Sequence, residues 1–225
     1  MTTRERAAAD AGRVPGPAFT QYGVVLLLLT AAFTFAVVAP TGTWGRLVSA
    51  LLMCGAVLAA LSRAGANRVL LVLGLAVAAV AVGTAAAAAS GGRQFGGVAD
   101  LAIAGLLALV PTAIVLQYRR HLEITIESVL AALCIYVVLG MFFASLASAV
   151  SGLSGSAYFA GHPTANSSDY VYFSFVTLAT VGYGDYVPAL GVGRALAVLE
   201  GLSGQLYLVT VVALVVGQVR PRAGR

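Results

Sequence analysis

The chain has 225 residues, of which 60% are hydrophobic and only 9% are charged, and its formal net charge is +5. Soluble domains usually contain about 25% charged residues, so this composition excludes an ordinary soluble protein. The 13 basic residues are all arginine and are spread between apolar runs, which disfavours a nucleic-acid partner.

The apolar runs are long enough to be membrane spans. A stretch of about 18 or more residues without charge is a candidate span, and the sequence has such intervals at 14–45, 69–92, 101–118 and 128–168, among others. After a polar tail at 1–20, apolar runs lie at Tyr22–Ala39, Trp44–Leu61, Val69–Ala89, Val98–Leu116, Ile126–Val150 and Ala195–Val219. At about 1.5 Å per residue each is long enough, or nearly so, to cross a hydrocarbon core of about 30 Å, the second only just. We therefore predict an integral all-α membrane protein with six transmembrane helices.

Turn-forming residues separate the runs, as at Ser90-Gly91-Gly92 and Gly96-Gly97. Pro111 lies inside the fourth run, where a membrane helix tolerates proline if the freed backbone groups find partners. The first run has a second interpretation, a cleaved signal peptide, although its apolar core is longer than the usual length of about 7–15 residues.

The arginines predict how these helices are oriented. With the amino terminus in the cytoplasm, ten arginines fall on the inner side: Arg4, Arg6, Arg13, Arg63, Arg68, Arg119, Arg120, Arg220, Arg222 and Arg225. Three fall outside, namely Arg46, Arg93 and Arg194. Because short cytoplasmic loops carry the excess of arginine, we predict a multi-pass protein of the cell membrane with both termini in the cytoplasm.

The two cysteines give no sign of covalent or metal chemistry. Cys54 and Cys134 both lie inside apolar runs, where cysteine behaves as a small hydrophobic residue. We therefore predict neither a disulfide framework nor a metal site. The sequence also has no nucleophile–base arrangement and no phosphate-binding loop, so we expect no enzymatic activity and no cofactor.

The two histidines carry little signal. His162 stands alone in a polar loop and is interpreted as solvated rather than as a ligand. His121 and Glu123 follow Arg119-Arg120 and are interpreted as part of a connection at the inner membrane surface. A regulatory proton or lipid site is the alternative there.

The segment 151–193, between the fifth and sixth runs, has an unusual pattern. It begins polar, and Tyr170–Ala179 then turns apolar and aromatic. An apolar stretch of about 10–14 residues is too short to cross a bilayer and is typical of a re-entrant segment. Ser168-Asp169 predicts the start of its helix, since an acidic residue stabilises the N-terminal end. The glycines of the next stretch, Thr180-Val181-Gly182-Tyr183-Gly184-Asp185, permit a backbone whose successive carbonyls point to one side.

This hexapeptide, after a short aromatic helix and between two membrane helices, closely resembles the filter of the potassium-channel pore domain. The motif covers Tyr172–Asp185, and the wider resemblance covers Ile126–Val219. It implies a re-entrant pore helix and a selectivity-filter loop between helices five and six. The implied domains are a cytoplasmic tail at 1–20, a peripheral four-helix domain at 21–118, a cytoplasmic linker at 119–125, a pore domain at 126–219 and a short cytoplasmic tail at 220–225.

In this family the filter binds K+ through stacked rings of carbonyl oxygens. By position, the resemblance assigns those carbonyls to Thr180, Val181, Gly182 and Tyr183, and Thr180 also supplies its hydroxyl. Gly184 then lets the chain turn out to the mouth, where Asp185 adds negative charge. K+ is accordingly expected as the permeant ion, with no cofactor.

Residues beside the filter are also assigned by the resemblance. Tyr172 and Phe173 take the place of the aromatic pair that packs around the filter in relatives, and Tyr172 can bond to Asp185. Val176 stands where some relatives carry a glutamate behind the filter, so buffering by that carboxylate is expected to be absent.

The sixth run resembles the inner helix of bacterial channels, and Gly204 stands where relatives have a gating hinge. Glu200 is an ionisable group inside a span, which makes it a functional candidate. Its alternative role is to bond to a pore-helix hydroxyl and fix the packing. Gly201 and Ser203 are expected to allow close helix contact.

Because one chain holds one filter sequence, the resemblance implies a passive K+ channel assembled as a homotetramer among membrane lipids, with no small-molecule ligand evident. The alternatives are a non-selective cation channel, a membrane-embedded subunit of a potassium transporter and a non-conducting sensor. The fourth run contains no Arg or Lys, whereas voltage-gated relatives carry arginines there. The resemblance therefore does not extend to the voltage sensor.

Overall fold

The computed structural model describes residues 20–38, 42–63, 66–88, 93–118, 126–213 and 217. Within these ranges the regular structure is helical, apart from two isolated β-bridges. The helices are α1 (Thr20–Val38), α2 (Thr43–Arg63), α3 (Arg68–Ala88), α4 (Arg93–Tyr118), α5 (Ile126–Ser154), α6 (Ser167–Leu178) and α7 (Gly191–Leu206), and a π-helical segment at Tyr207–Val212 continues α7.

Five helices in the described residues are long and apolar enough to cross a membrane. They are found at Trp44–Arg63, Arg68–Ala88, Gln94–Ile114, Ser128–Ser154 and Gly191–Val212. The apolar part of α1, Tyr22–Val38, is shorter. The chain is therefore a helical membrane protein, and α6, which spans about 18 Å at 1.5 Å per residue, is too short to cross the bilayer.

Several helices are longer than the sequence predicted. α4 begins at Arg93 rather than at Val98, and α7 begins at Gly191 rather than at Ala195. The glycines were interpreted as turn residues, but a Cβ on Gly97 would lie 2.8 Å from the backbone nitrogen of Leu153 in α5. Gly97 thus permits close approach of two helices, and the helix runs through it. Pro111 is likewise inside α4 without ending it.

The helices share one core, in which α4 packs along both α3 and α5, and α1 packs against α2, α5 and α6. α1 contributes residues at helical spacing, namely Val25, Leu29, Ala32 and Ala36, all buried. Phe33 of α1 touches Phe175 of α6, with ring centroids 4.5 Å apart. Cys54 and Cys134 are both buried and free. The short helix α6 is thereby held from one side by α1 and α5.

Some predictions concern residues outside the described ranges. These are the terminal tail at 1–19, the linker at 119–125 with Arg119, Arg120, His121 and Glu123, and residues 214–225 except 217. The turn residues Ser90-Gly91-Gly92 also lie there.

Candidate functional site

The short helix α6 begins one residue before the predicted start, and a capping box explains why. The side chain of Asn166 accepts hydrogen bonds from the backbone nitrogens of Ser168 and Asp169, while the Asp169 carboxylate accepts one from the nitrogen of Asn166 at 2.8 Å. These bonds satisfy donors that a helix N-terminus leaves free. α6 is thus fixed at its outer end, and its other end leads directly into residues 179–185.

Residues 180–184 adopt an alternating backbone. Thr180, Gly182 and Gly184 have positive φ values of 58°, 57° and 80°, whereas Val181 and Tyr183 do not share that conformation. Thr180 is the one non-glycine residue of the described chain with positive φ, a conformation that costs about 1 kcal/mol or more for an L-residue. Alternation of this kind turns successive peptide groups the same way.

The amide groups of this segment point back to α6. The carbonyl of Val176 accepts bonds from the nitrogens of Val181 at 2.9 Å and Gly182 at 3.4 Å, and Thr180 donates to Thr177 at 2.9 Å. None of the carbonyls from 180 to 184 accepts a hydrogen bond from the residues that the structure describes. Val176 therefore holds the segment through its backbone carbonyl. The sequence comparison concerned only its side chain, which replaces a glutamate of some relatives, and did not suggest this contact.

The far end of the segment is tied to the loop that joins α5 to α6. The nitrogen of Ala160 donates to the carbonyl of Val187 at 2.9 Å, and that of Ala189 donates to Tyr158 at 2.8 Å. The chain therefore leaves the end of α6, passes through residues 180–185 and returns to the surface loop. Residues 179–185 are all exposed in the single chain, and the carbonyls of 180–184 accept no hydrogen bond from the described residues along this path.

Asp185 is the centre of a hydrogen-bonded group at the surface end. Tyr172 donates to its Oδ2 at 2.8 Å, which is the contact that the sequence suggested, and the nitrogen of Tyr186 donates to its Oδ1 at 3.1 Å. A ring nitrogen of His162 lies 3.2 Å from the Asp185 carbonyl oxygen, and the His162 ring stacks on Tyr186 at 4.5 Å. His162 is exposed, and these two contacts attach it to this end of the segment.

Tyr172 and Phe173 were expected to pack together around the segment, but Phe173 lies elsewhere. The Tyr172 ring is parallel to Tyr183, 6.4 Å away between centroids. Phe173 is buried and faces the outer loop, where it contacts Tyr158 and Phe159. Only Tyr172 of the two packs beside the segment, because consecutive helical residues point to different faces.

Tyr158 and Phe159 were not singled out from the sequence, although both are almost fully buried. The Tyr158 hydroxyl donates to the carbonyl of Gly193 in α7 at 3.2 Å. Tyr186 joins their cluster and donates to Asp169 at 3.1 Å. Burial and this hydrogen bond raise the pKa of Tyr186. The signal for this cluster was an aromatic pair within a loop of small and polar residues.

α7 packs on α6 through two of the predicted residues. Glu200 is 2% exposed and is hydrogen-bonded to Ser174 of α6. This contact agrees with the alternative interpretation of Glu200, in which it bonds to a hydroxyl of the short helix. A Cβ on Gly204 would lie 2.5 Å from the Leu178 carbonyl oxygen. On Gly201 it would meet only the Thr177 oxygen, at 3.9 Å. The close helix contact is therefore at Gly204 rather than at Gly201.

Comparison with protein families decides the class of this site. Residues 131–220 match the model of a family described as ion channel. This segment is thus similar to an ion-channel domain. The match begins in α5 and includes α6, the segment 180–185 and α7, and it indicates a transport protein. Comparisons with curated proteins and with solved structures found no significant match.

The Tyr172–Asp185 hydrogen bond of the pore domain allows a direct test. Tyr172→Phe removes the donor to the carboxylate and leaves the ring beside Tyr183 in place. Because this hydrogen bond ties Asp185, at the end of the segment, to α6, we expect shorter open times in single-channel recordings. Tyr136→Phe is the matched control, because the Tyr136 hydroxyl has no hydrogen bond to a described residue. Unchanged open times in Tyr172→Phe would show that the bond does not stabilise the conducting state.

Proposed function

We propose that the protein is a potassium-selective channel in which K+ passes the carbonyl oxygens of Thr180, Val181, Gly182 and Tyr183. The observation that carries this proposal is the alternating backbone of residues 180–184, whose carbonyls accept no hydrogen bond from the described chain. Uncharged oxygens in stacked rings replace the hydration shell of a monovalent cation. The threonine hydroxyl at position 180 extends this set of ligands at the inner end.

The assembly that we propose is a homotetramer around a central pore. One chain contributes a single row of carbonyls, and the side chains of Val181 and Tyr183 are 52% and 70% exposed. α7 also has exposed apolar residues along its length, including Val198, Leu202 and Leu206. Further copies of the chain around one axis complete the carbonyl rings and cover part of this surface.

The proposed arrangement in the membrane places the surface loop and Asp185 outside the cell, with both termini in the cytoplasm. The carboxylate then attracts cations to the mouth. The peripheral domain at 21–118 surrounds the pore domain at 126–219, and lipid covers the remaining apolar surface. Six spans follow if α1 also crosses the bilayer.

Ion flux through the purified full-length chain in liposomes tests the function. We expect uptake of K+ and Rb+ with strong exclusion of Na+, and four subunits per conducting unit by photobleaching steps. Equal K+ and Na+ flux would replace the proposal by a non-selective cation channel. Absence of flux from correctly assembled protein would instead support a non-conducting sensor, and conduction by a monomer would refute the assembly.

A second expectation concerns voltage. The described span of α4, Gln94–Ile114, contains no basic residue, and its charged residue Asp100 accepts a hydrogen bond from Ser148 of α5 at 2.5 Å. Steep gating moves about 3–4 charges per subunit, each worth about 2.3 kcal/mol per 100 mV. We therefore expect conductance that changes only shallowly between −100 and +100 mV. Across this interval the field does about 4.6 kcal/mol of work on each elementary charge that crosses the membrane. Steep activation in patch recordings would contradict this expectation.

A further inference from the structure

Three helices of the pore domain meet at the hydroxyl of Ser174. This side chain of α6 has no exposed surface, and Glu200 of α7 beside it is 2% exposed. The Ser174 oxygen is hydrogen-bonded to the Glu200 carboxyl group and lies 2.6 Å from the carbonyl oxygen of Gly140 in α5. A single oxygen atom therefore connects the outer helix, the short helix α6 and the inner helix.

The number of hydrogens at this junction determines the state of Glu200. A serine hydroxyl has one hydrogen, a backbone carbonyl only accepts, and an ionised carboxylate also only accepts. Two oxygen–oxygen contacts at hydrogen-bond distance need two hydrogens, and Ser174 supplies one. We propose that Glu200 keeps its proton and donates it to Ser174, which donates in turn to the Gly140 carbonyl.

Among the residues that the structure describes, no basic side chain bonds to Glu200 to stabilise a carboxylate. The arginine of α7, Arg194, donates to the Pro188 carbonyl at 3.3 Å, and it lies six residues before Glu200, about 9 Å along the helix. The charged residues of α5 and α6 are both acidic: Glu127 is the second residue of α5, and Asp169, near the start of α6, accepts a hydrogen bond from Tyr186. Tyr158 is the titratable group of the loop that interacts with Glu200; burial raises the pKa of its hydroxyl, so it stays neutral.

Burial of an unpaired carboxylate is costly, whereas a neutral acid with hydrogen bonds is not. The proton thus permits Glu200 to close a chain of two hydrogen bonds across three helices. This chain is one helical turn from Gly204 and six residues before Thr180. Glu200 and Ser174 are accordingly positioning residues, which hold α6, and with it residues 180–184, in register with α7. The role in holding residues 180–184 rests on the proposed function, whereas the protonation of Glu200 does not.

Infrared spectroscopy tests the proton directly, on the full-length chain in liposomes. The chain has only eight Asp and Glu residues, so one protonated carboxyl group is resolvable. At pH 7 the spectrum of the native chain minus that of Glu200→Gln should contain a carboxylic C=O band. Ser174→Ala should shift that band, because the acid loses its acceptor. A difference spectrum with only carboxylate bands at pH 7 would overturn the proposal, whether or not the protein conducts.

Variants test the positioning role. Glu200→Gln keeps a neutral donor of similar shape, so we expect its melting temperature and its K+/Na+ permeability ratio to stay near those of the native chain. Ser174→Ala breaks the chain and leaves a buried acid without its acceptor, and we expect a melting temperature lower by several degrees and a several-fold lower permeability ratio. If Glu200→Gln were as damaging as Ser174→Ala, the negative charge would be the functional feature and the proposal would be wrong.

Discussion

Gly182→Ala is expected to abolish the discrimination between K+ and Na+. Gly182 has a φ of +57°, and an added Cβ meets no atom within 4 Å in its own chain. The effect in one chain is therefore conformational: a left-handed alanine costs about 1–2 kcal/mol. In the homotetramer that we propose, four copies raise this to about 4–8 kcal/mol, comparable with the whole stability of many domains.

The strain at position 182 is relieved if a neighbouring peptide group rotates. In the proposed channel, such a rotation moves the carbonyl of Val181 or Gly182 away from the pore axis and removes one ring of ligands. Reversal potentials with K+ on one side of the membrane and Na+ on the other measure the result. Gly191→Ala is the matched control, since that glycine has no positive φ and also has open space at its Cβ position. A native permeability ratio in Gly182→Ala would show that the left-handed conformation is not required for selectivity.

The segment that the sequence predicted best is the one whose signals are local. The start of α6 was placed within one residue, because Asn166, Ser168 and Asp169 form a capping box among neighbours in the chain. The alternating φ values at 180, 182 and 184 likewise follow a pattern in which glycine occupies two of the three positions. Both features are set by residues within a few positions of each other, so that the printed sequence contains the information.

Contacts between distant residues were harder to anticipate. The partners of Ser174 lie 34 residues before it and 26 residues after it, and no spacing rule connects them. The carbonyl of Gly140 is invisible in a sequence because every residue has one. In the same way, Gly97 can end a helix or allow two helices to touch. Which of these it does depends on whether a neighbouring helix lies opposite, and only the packing decides that.

The second large effect is expected at Gly204, where close packing and hinge motion make opposite predictions. In Gly204→Ala the new Cβ would lie 2.5 Å from the carbonyl oxygen of Leu178 and 2.8 Å from its Cδ1. The carbonyl belongs to the last turn of α6, two residues before Thr180. Relief requires α7 to move outward or the filter base to shift, and overpacking of this kind costs about 1–3 kcal/mol per chain. We expect a melting temperature lower by several degrees and reduced K+ flux.

Gly201→Ala is the matched control, because it lies on the same helix, faces the same neighbour and has its nearest contact at an ordinary 3.9 Å. Alanine in a helix interior is favoured over glycine by about 0.5–1 kcal/mol, so this variant should be unchanged or slightly more stable. If Gly204 acted only as a hinge, Gly204→Ala would also gain stability from helix propensity, and only its opening rate would fall. Thermal melting of both variants, measured beside single-channel opening rates, therefore separates the two roles. A higher melting temperature in Gly204→Ala with slower opening would contradict the packing role. A methyl group that raises the stability of α7 cannot be clashing with the Leu178 carbonyl.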